Sequence, residues 1–317
     1  MNDTIMKILL HWDLEKSEVK QIYHTAWQVG EQYVLKEYQN REMLERNLII
    51  LRILDDMKIP VGKIVPTRDN RQYISSEDAF YFLAEKLPGK HISHFGEDTG
   101  LAFKMGEIIA NLHIAFQKCE DVEGLWNNSL LDEMNGWVKS SLEEAGWKYI
   151  SKKEYEETTE QLALVYDSLP VQLIHRDVHF GNFLFENGVF SGYIDFDLSQ
   201  RNIRIFDICY FLLGLLCEEE SSDFSEEMWF PFLENVLAGY ESRLEISEAE
   251  KRAVPYVMEC IELLFVAYFE REQDARCAED AFHLYEFVKK REDRIYESLH
   301  AGRSAFPEGE KMGRATE

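Results

Sequence analysis

The sequence predicts an α+β protein, with a small sheet-rich segment over residues 1–87 and a mainly helical segment over residues 88–317. Three observations predict it. Short β-prone runs split by turn residues crowd the first ninety or so positions. Apolar residues at helical spacing dominate from about residue 98 onward. One compact β-rich island, residues 171–197, interrupts the helices. A chain of 317 residues suits one large domain or two lobes sharing a cleft. With 45% hydrophobic and 13% aromatic residues it can bury a large core, which excludes wholesale disorder.

The elements follow in order. Ala26–Val29 and Gln32–Lys36 are β-prone runs separated by Gly30, which predicts a hairpin. Residues 41–57 carry Leu44, Leu48 and Leu51, with Ile50, Leu54 and Met57 beside them, a helix with a wide apolar face that Pro60 closes. Ile64-Val65, Gln72–Ile74 and Ala79–Leu83 read as further strands. Leu87-Pro88-Gly89-Lys90 ends this segment, because Pro and Gly together stop whatever precedes them. Leu101, Met105, Ile108, Ile109, Leu112 and Phe116 then form a helical stripe behind a cap at Asp98 or Thr99. Residues 128–169 read as two helices, and helices resume from about Phe206 to Leu299. The tail 300–317 is polar, contains Gly and Pro, and reads as mobile.

Charge narrows the class. With 59 acidic and 34 basic residues the net charge is −25, which repels phosphate backbones and anionic membranes. No apolar stretch approaches the roughly 20 residues that span a bilayer. The first residues lack the basic start and long apolar run of a secretory signal. Five scattered cysteines with no C-x-x-C pair, and nine histidines without zinc-ligand spacing, predict reduced, mostly buried thiols in a cytoplasmic protein without structural metal. Nucleic acid and membrane are therefore excluded as partners.

The island carries chemistry. A buried-type strand, Val171–Ile174, leads into His175-Arg176-Asp177, and Asn182 follows Asp177 by five positions. Phe183-Leu184-Phe185, the turn Asn187-Gly188 and a return strand ending at Ile194-Asp195 complete a hairpin. That hairpin would bring Asp195 back beside the Asp177–Asn182 loop. Phosphoryl transfer needs such a trio: one carboxylate orients and deprotonates an attacking hydroxyl, while an amide oxygen and a second carboxylate hold Mg²⁺ on the phosphates. Asp177 fits the first role, and Asn182 with Asp195 the second. Magnesium suits hard oxygen donors and keeps its waters and phosphate oxygens. Lys36, at the end of a β-prone run, sits where a lysine should pair with the α/β-phosphates of ATP. At about 5% usage per residue type, H-R-D-x-x-x-x-N is expected by chance in roughly 0.2% of chains this long.

The run HRDVHFGN followed by GYIDFD resembles the catalytic and metal-binding segments of the aminoglycoside phosphotransferase and choline kinase family, a small-molecule branch of the protein-kinase-like fold. QYVLKEY resembles the family's lysine strand, YFLAEKLPGK its hinge, and FDICYFLLG its buried helix-start aspartate, here Asp207. The resemblance implies a two-lobed fold and ATP with Mg²⁺ as cofactors. It implies Asp177 as catalytic base, Asn182 and Asp195 as metal ligands, and Lys36 on the phosphates. Backbone groups near Glu85 and Leu87 would meet the adenine edge. A glutamate of the 41–57 helix should orient Lys36; Glu45 is the candidate, with Asn47 and Glu42 as alternatives.

Other residues have plainer readings. His175 braces the loop, Asp207 supports it from a buried position, and His113 is core. His179 stands between a loop role and contact with substrate or phosphate, and Asp197 between a loop acid and an approach to metal or substrate. No glycine-rich loop precedes Lys36; Ile22-Tyr23-His24-Thr25 stands in its place. The acidic runs around Glu218–Glu227 and Glu270–Asp280 read first as solvated faces, and second as a carboxylate-lined cleft for a cationic substrate. The function implied is ATP-dependent phosphorylation of a hydroxyl on a small molecule: an amino alcohol, an amino acid or an amino sugar. The stretch IVPTRDNRQYISSEDAFYFLAEKLPG leans toward the homoserine-kinase-like and spore-coat members. The alternative is a kinase-like scaffold without turnover. A protein kinase is disfavoured, because residues 197–206 leave little room for an activation loop.

Overall fold

The computed structural model describes residues 2–92, 98–119, 122–217 and 226–301. In chain order the elements are α1 (Asn2–Leu9), β1 (Val19–Tyr23), β2 (Ala26–Val29), β3 (Tyr33–Tyr38), α2 (Arg41–Asp56), β4 (Ile64–Val65), β5 (Ile74–Ser76), β6 (Ala79–Glu85) and α3 (Thr99–Phe116). They continue as α4 (Leu130–Glu133), α5 (Lys139–Glu144), α6 (Lys152–Tyr166), β7 (Val171–Ile174), β8 (Phe183–Glu186), β9 (Val189–Tyr193) and β10 (Gln200–Ile203). The last helices are α7 (Ile205–Cys217), α8 (Glu226–Glu241), α9 (Glu248–Arg271), α10 (Ala275–Lys289) and α11 (Glu292–Ala301). The expected order of sheet, helices, β-island and helices is thus the observed one. The residues form two compact units. The first comprises Met1–Phe95, Asn111–Leu130 and Pro170–Phe211, and the second Gly96–Ala110, Leu131–Leu169 and Leu212–Glu317.

The first unit is built on an antiparallel sheet of order β1-β2-β3-β6-β4, with β5 also paired to β6. Its strands alternate, so Trp27, Leu35 and Leu83 share one face, where Ile5, Ile8, Leu9 and Trp12 of the N-terminal helical segment cover them. Lys36, Tyr38 and Phe82 occupy the opposite face. The hairpin at Gly30 forms as expected, with Val29 opposite Tyr33 and Gly30 at φ +56°. The α2 helix starts at Asn40, whose side chain accepts the N–H groups of Glu42 and Met43. Its buried stripe runs Leu44, Asn47, Leu48, Leu51 and Leu54.

The same unit holds the β-island. The β7 strand pairs antiparallel with β10, placing Ile174 opposite Gln200, so both ends of the 175–199 segment are clamped. The β8–β9 hairpin turns at Asn187 (φ +52°) and Gly188 (φ +79°), the signature of a tight primed turn. Two strands were not foreseen. The β10 sequence, Gln-Arg-Asn-Ile, has no apolar alternation, and its partner is supplied by tertiary pairing. The β1 strand is almost wholly exposed and therefore unpatterned.

The second unit is helical. Asp98 caps α3, accepting the N–H of Leu101 at 3.1 Å. Residues 128–169 give two helical stretches, the first running through α4, a π-turn at Met134–Val138 and α5, the second being α6. Ser151 with Glu154 and Ser247 with Glu250 form capping boxes that start α6 and α9. The α3 and α8 helices cross backbone to backbone: a Cβ on Gly106 would fall 1.9 Å from the Val236 carbonyl oxygen, and one on Gly239 1.9 Å from that of Phe103. Cys260 is a buried free thiol of this unit and Cys277 a half-buried one, while Cys119 and Cys209 are buried free thiols of the first unit. No helix among the described residues is long and apolar enough to cross a membrane. The acidic run at 218–225 and the tail from residue 302 lie outside the described residues.

Candidate active site

The hairpin does return Asp195 to the loop that it left. The Ile194 N–H donates to the Asn182 carbonyl at 3.1 Å, and a His175 ring nitrogen lies 3.1 Å from the Ile194 carbonyl. Asn182 donates its amide to the backbone oxygen of Asp177 at 2.9 Å and to its carboxylate at 3.0 Å. The five-residue spacing thus closes a small ring in which Asn182 fixes the orientation of Asp177. The opposite end of the Asn182 amide, its oxygen, is the end that suits a cation.

Asp207 supports this loop from below. Its carboxylate, fully buried with His113 and His175, accepts the N–H of His175 at 2.9 Å and of Arg176 at 2.8 Å, and pairs with His113 at 2.9 Å. Those bonds hold Arg176 at φ +68°, a left-handed conformation that costs about 1–3 kcal/mol outside glycine. Asp195 is likewise left-handed, at φ +63°. Two of the left-handed non-glycine residues among those described thus aim the loop and the second carboxylate.

Asp177 has a partner that sequence reasoning missed: Tyr210 of α7 donates its hydroxyl to the Asp177 carboxylate at 2.9 Å. Its signal was its place three residues after Asp207, on the same face of the helix. His179 bonds inward, its Nδ1 accepting the Gly181 N–H at 3.1 Å, while Nε2 lies 3.6 Å from the Asp177 carboxylate. Burial alone would raise the Asp177 carboxyl; His179, Tyr210 and His175 outweigh it and bring it down to about 2. Asp177 is therefore an ionised acceptor across the ordinary pH range.

Lys36 reaches the island directly. Its ammonium lies 3.0 Å from Asp195 and 3.2 Å from Asp197. Burial would lower the lysine, but Asp197 and Asp195 outweigh it and hold the ammonium above its usual range. Burial likewise opposes ionisation of Asp195, and Lys36 outweighs it, so this carboxyl sits below the ordinary range. Asp197 goes the other way: burial and the neighbouring Asp195 outweigh Lys36 and raise it. Asp197 is thus neither a free loop acid nor remote from the site. It is the second counter-ion of Lys36.

One expectation is corrected. Glu45 does not meet Lys36; it bonds Arg41 at 2.9 Å and Tyr73 at 2.8 Å on the outer side of α2. The reason is helical phase, since Glu45 lies off the buried stripe while Asn47 lies within it. The residue of α2 that faces the site is Asn47, donating at 2.6 Å to the Tyr38 hydroxyl, which in turn donates to Asp197.

At the expected hinge, Glu85 ends β6 opposite Tyr33 and donates its N–H to Lys63 at 2.8 Å. The Leu87 side chain stands close enough to Gly192 that a Cβ there would lie 2.6 Å from it. At the place of the missing glycine-rich loop, Tyr23 pairs with Ala26 across a tight turn, and the Thr25 carbonyl accepts the Glu37 N–H at 2.8 Å. Among the described residues no three His, Cys, Asp or Glu side chains gather closely enough to hold a metal by themselves. One carboxylate with one amide oxygen is instead the sparse, hard donor set that fits Mg²⁺ completed by phosphate and water.

This arrangement is that of a kinase-like fold, and solved structures bear it out. Amicoumacin kinase hAmiN, solved in complex with AMP-PNP, Ca²⁺ and Ami, superposes with a TM-score of 0.70 at 20% identity, over 94% of this chain and 96% of that one. An aminoglycoside phosphotransferase from Alicyclobacillus acidocaldarius gives 0.68 at 15% identity, over 93% and 95%. Choline kinase from Cryptosporidium parvum gives 0.64 at 15% identity, over 95% and 99%. Residues 18–252 match the Phosphotransferase enzyme family (APH), and the chain belongs to that family. Homoserine kinase of Gluconobacter oxydans is 28% identical over 174 residues, 53% of this chain and 52% of the relative. Homoserine kinase of Phenylobacterium zucineum is 37% identical over 87 residues, 27% of this chain and 25% of the relative. The chain thus spans about half the length of the first of these relatives and a quarter of the second.

Proposed function

We propose that this protein transfers the γ-phosphoryl group of ATP to a hydroxyl of a small molecule, in the cytoplasm, with Mg²⁺ as its ion. The observation that carries the reading is the convergence of Lys36 from β3, Asp177 and Asn182 from one loop, and Asp195 from the end of the hairpin. Residues 1–87 would contribute Lys36 and the hinge groups of Glu85 and Leu87, and residues 88–317 the catalytic loop and metal ligands.

Asp177 would accept a hydrogen bond from the acceptor hydroxyl and take its proton as the new P–O bond forms. Its low pKa makes it an orienting acceptor first and a base only late in the transfer. Tyr210 and Asn182 hold its two oxygens, so the hydroxyl must arrive along one direction. Lys36 would hold the nucleotide phosphates while Asn182 and Asp195 supply oxygen ligands. When bound, Mg²⁺ would supply neutralisation of the charge that develops on the phosphates. His179 is occupied in capping the turn and serves the site through Asp177.

The relatives support an amino alcohol of the homoserine type as the first acceptor to test. The rival reading, a scaffold without turnover, drew on the missing glycine-rich loop; the intact site set weighs against it. The experiment is the unfolding midpoint with ATP, with and without Mg²⁺, in the wild type and in Asp195→Ala. At about 100 times its dissociation constant a nucleotide should stabilise the fold by roughly 2.7 kcal/mol. That gain should require Mg²⁺ and vanish in Asp195→Ala, and ADP release should then follow on adding L-homoserine, choline, an aminopropanol or an aminoglycoside. A wild type unmoved by millimolar Mg²⁺-ATP would overturn the reading.

A further inference from the structure

Kinase-like phosphotransferases keep the strand lysine in place with an ion pair to a glutamate of the neighbouring helix. Here that helix offers no such carboxylate: the buried stripe of α2 presents Asn47, and Glu45 faces Arg41 and Tyr73. Lys36 is paired instead from the metal side, by Asp195 and Asp197. Asp195 is the carboxylate assigned to the ion, so Asp197 is the counter-ion left to Lys36 when nucleotide and metal are bound.

We propose that the counter-ion of Lys36 has moved from the helix to Asp197, and that Tyr38 and Asn47 are the positioning residues that hold it there. The proposal rests on the phosphotransferase reading above. Its geometry is a continuous relay. Lys36 and Tyr38 are two residues apart on one strand and share a face. The Lys36 ammonium lies 5.7 Å from the Tyr38 ring centre, and Phe82 packs against that ring at 6.0 Å. Tyr38 donates to one Asp197 oxygen while Lys36 takes the other. Asn47 then donates to the Tyr38 oxygen, which fixes the direction of the phenolic proton toward Asp197.

Charge explains why the helix residue is neutral. Lys36 already faces two carboxylates, so its charge is matched before any phosphate enters. A glutamate at position 47 would add a third carboxylate in a buried place, with no further cation to match it. An amide gives the same hydrogen-bond direction without that charge. The Asn47 carboxamide oxygen is buried and has no hydrogen-bond partner among the described residues. That is a cost the site carries in order to keep its nitrogen on Tyr38.

Without the Tyr38 hydroxyl, Asp197 loses the bond that fixes one of its two oxygens. Lys36 then loses its fixed place, and a mobile carboxylate faces the incoming phosphates. The test is the affinity for AMP-PNP, measured calorimetrically without turnover, in the wild type, Tyr38→Phe, Asn47→Ala and Glu45→Gln. Tyr38→Phe should weaken binding about tenfold, the loss of one charge-assisted hydrogen bond, and Asn47→Ala somewhat less. The KM for ATP should rise in parallel while the KM for the acceptor stays within about twofold, a split that general loosening would not produce. Glu45→Gln should stay within about twofold in both. Tyr38→Phe is isosteric, and its ligand-free unfolding midpoint reports whether the fold is kept. Tyr38→Phe and Asn47→Ala proteins that bind like the wild type overturn the proposal. So does a Glu45→Gln protein that loses about tenfold while they do not. A wild type that binds no AMP-PNP at millimolar concentration overturns the phosphotransferase reading itself, and this proposal with it.

Discussion

Two groups of carboxylates in this molecule titrate in opposite directions. In the β-island of the first unit, Asp177 and Asp195 are held below the ordinary carboxylate range. Inside the second unit, on α9, Glu259 and Glu262 are each pushed up to about 8, by burial before any other cause. Desolvation opposes ionisation at all four sites, although Asp177 is half-buried and Asp195 exposed while Glu259 and Glu262 are fully buried. The company differs as well. The island surrounds its acids with Lys36, Tyr210, His179 and an aspartate-clamped backbone. Glu259 has Lys289 at 3.3 Å, but shares it with Glu292, and for Glu262 burial is the sole cause of the shift. Charge kept against burial marks the place where chemistry is expected; charge surrendered to burial marks packing.

The largest effect should come from breaking the first group. Asp177→Asn keeps the shape and removes the charge, and turnover should fall by about 10²–10⁴-fold. AMP-PNP binding should change by less than about threefold, since Asp177 is assigned to the acceptor and not to the nucleotide. Single-turnover ADP formation beside a binding titration separates the two. Turnover within tenfold of the wild type would remove Asp177 from its assigned role. The depressed carboxyl also sets a pH sign. The stability that it contributes is present above about pH 3.8 and is lost as pH falls through about 2.

In the second unit the comparable weak point is steric. Gly106 and Gly239 let α3 and α8 touch backbone to backbone, and an added Cβ at either would collide with a carbonyl oxygen that cannot swing aside. Gly106→Ala should cost about 1–3 kcal/mol, the range for overpacking a close contact. Chemical denaturation measures it, with AMP-PNP affinity of the folded fraction expected to remain unchanged. A neutral Gly106→Ala would mean that the helices separate freely, and that this crossing is not a constraint on the fold.

How far the sequence reached depends on whether a feature announces itself locally. The Asn187-Gly188 turn, the Asp177-to-Asn182 spacing and the α2 stripe are all local, and each was legible. The β10 strand and the exposed β1 strand were not, because their pairing is tertiary and their residues carry no alternation. Tyr210 was legible only through Asp207, the loop-supporting residue that it follows by three positions on the same helix face. Glu45 was a different kind of error, since charge type was allowed to outrank helical phase. Glu45 and Asn47 are two residues apart, roughly 200° around a helix, so at most one of them could face the sheet. A polar residue inside an otherwise apolar stripe was the available signal, and it pointed to Asn47.

The smallest expected effect tests the second group of acids by pH. Glu262 is buried and its carboxyl is raised to about 8 by burial alone. The folded state therefore holds a proton on Glu262 that the unfolded chain releases near pH 4.5. Its contribution is fully present below that value and drains away as pH rises toward about 8. At its steepest one such group takes about 1.4 kcal/mol from stability per pH unit. Glu262→Gln cannot ionise, so that slope should disappear from its profile while the slope due to Glu259 remains. Denaturant midpoints at half-unit intervals from pH 5.5 to 8.5 measure the difference. Parallel profiles for the two proteins would show that Glu262 is already ionised when folded. Burial in this unit would then be less complete than the packing of α9 implies, and the contrast with Asp177 would lose half of its basis.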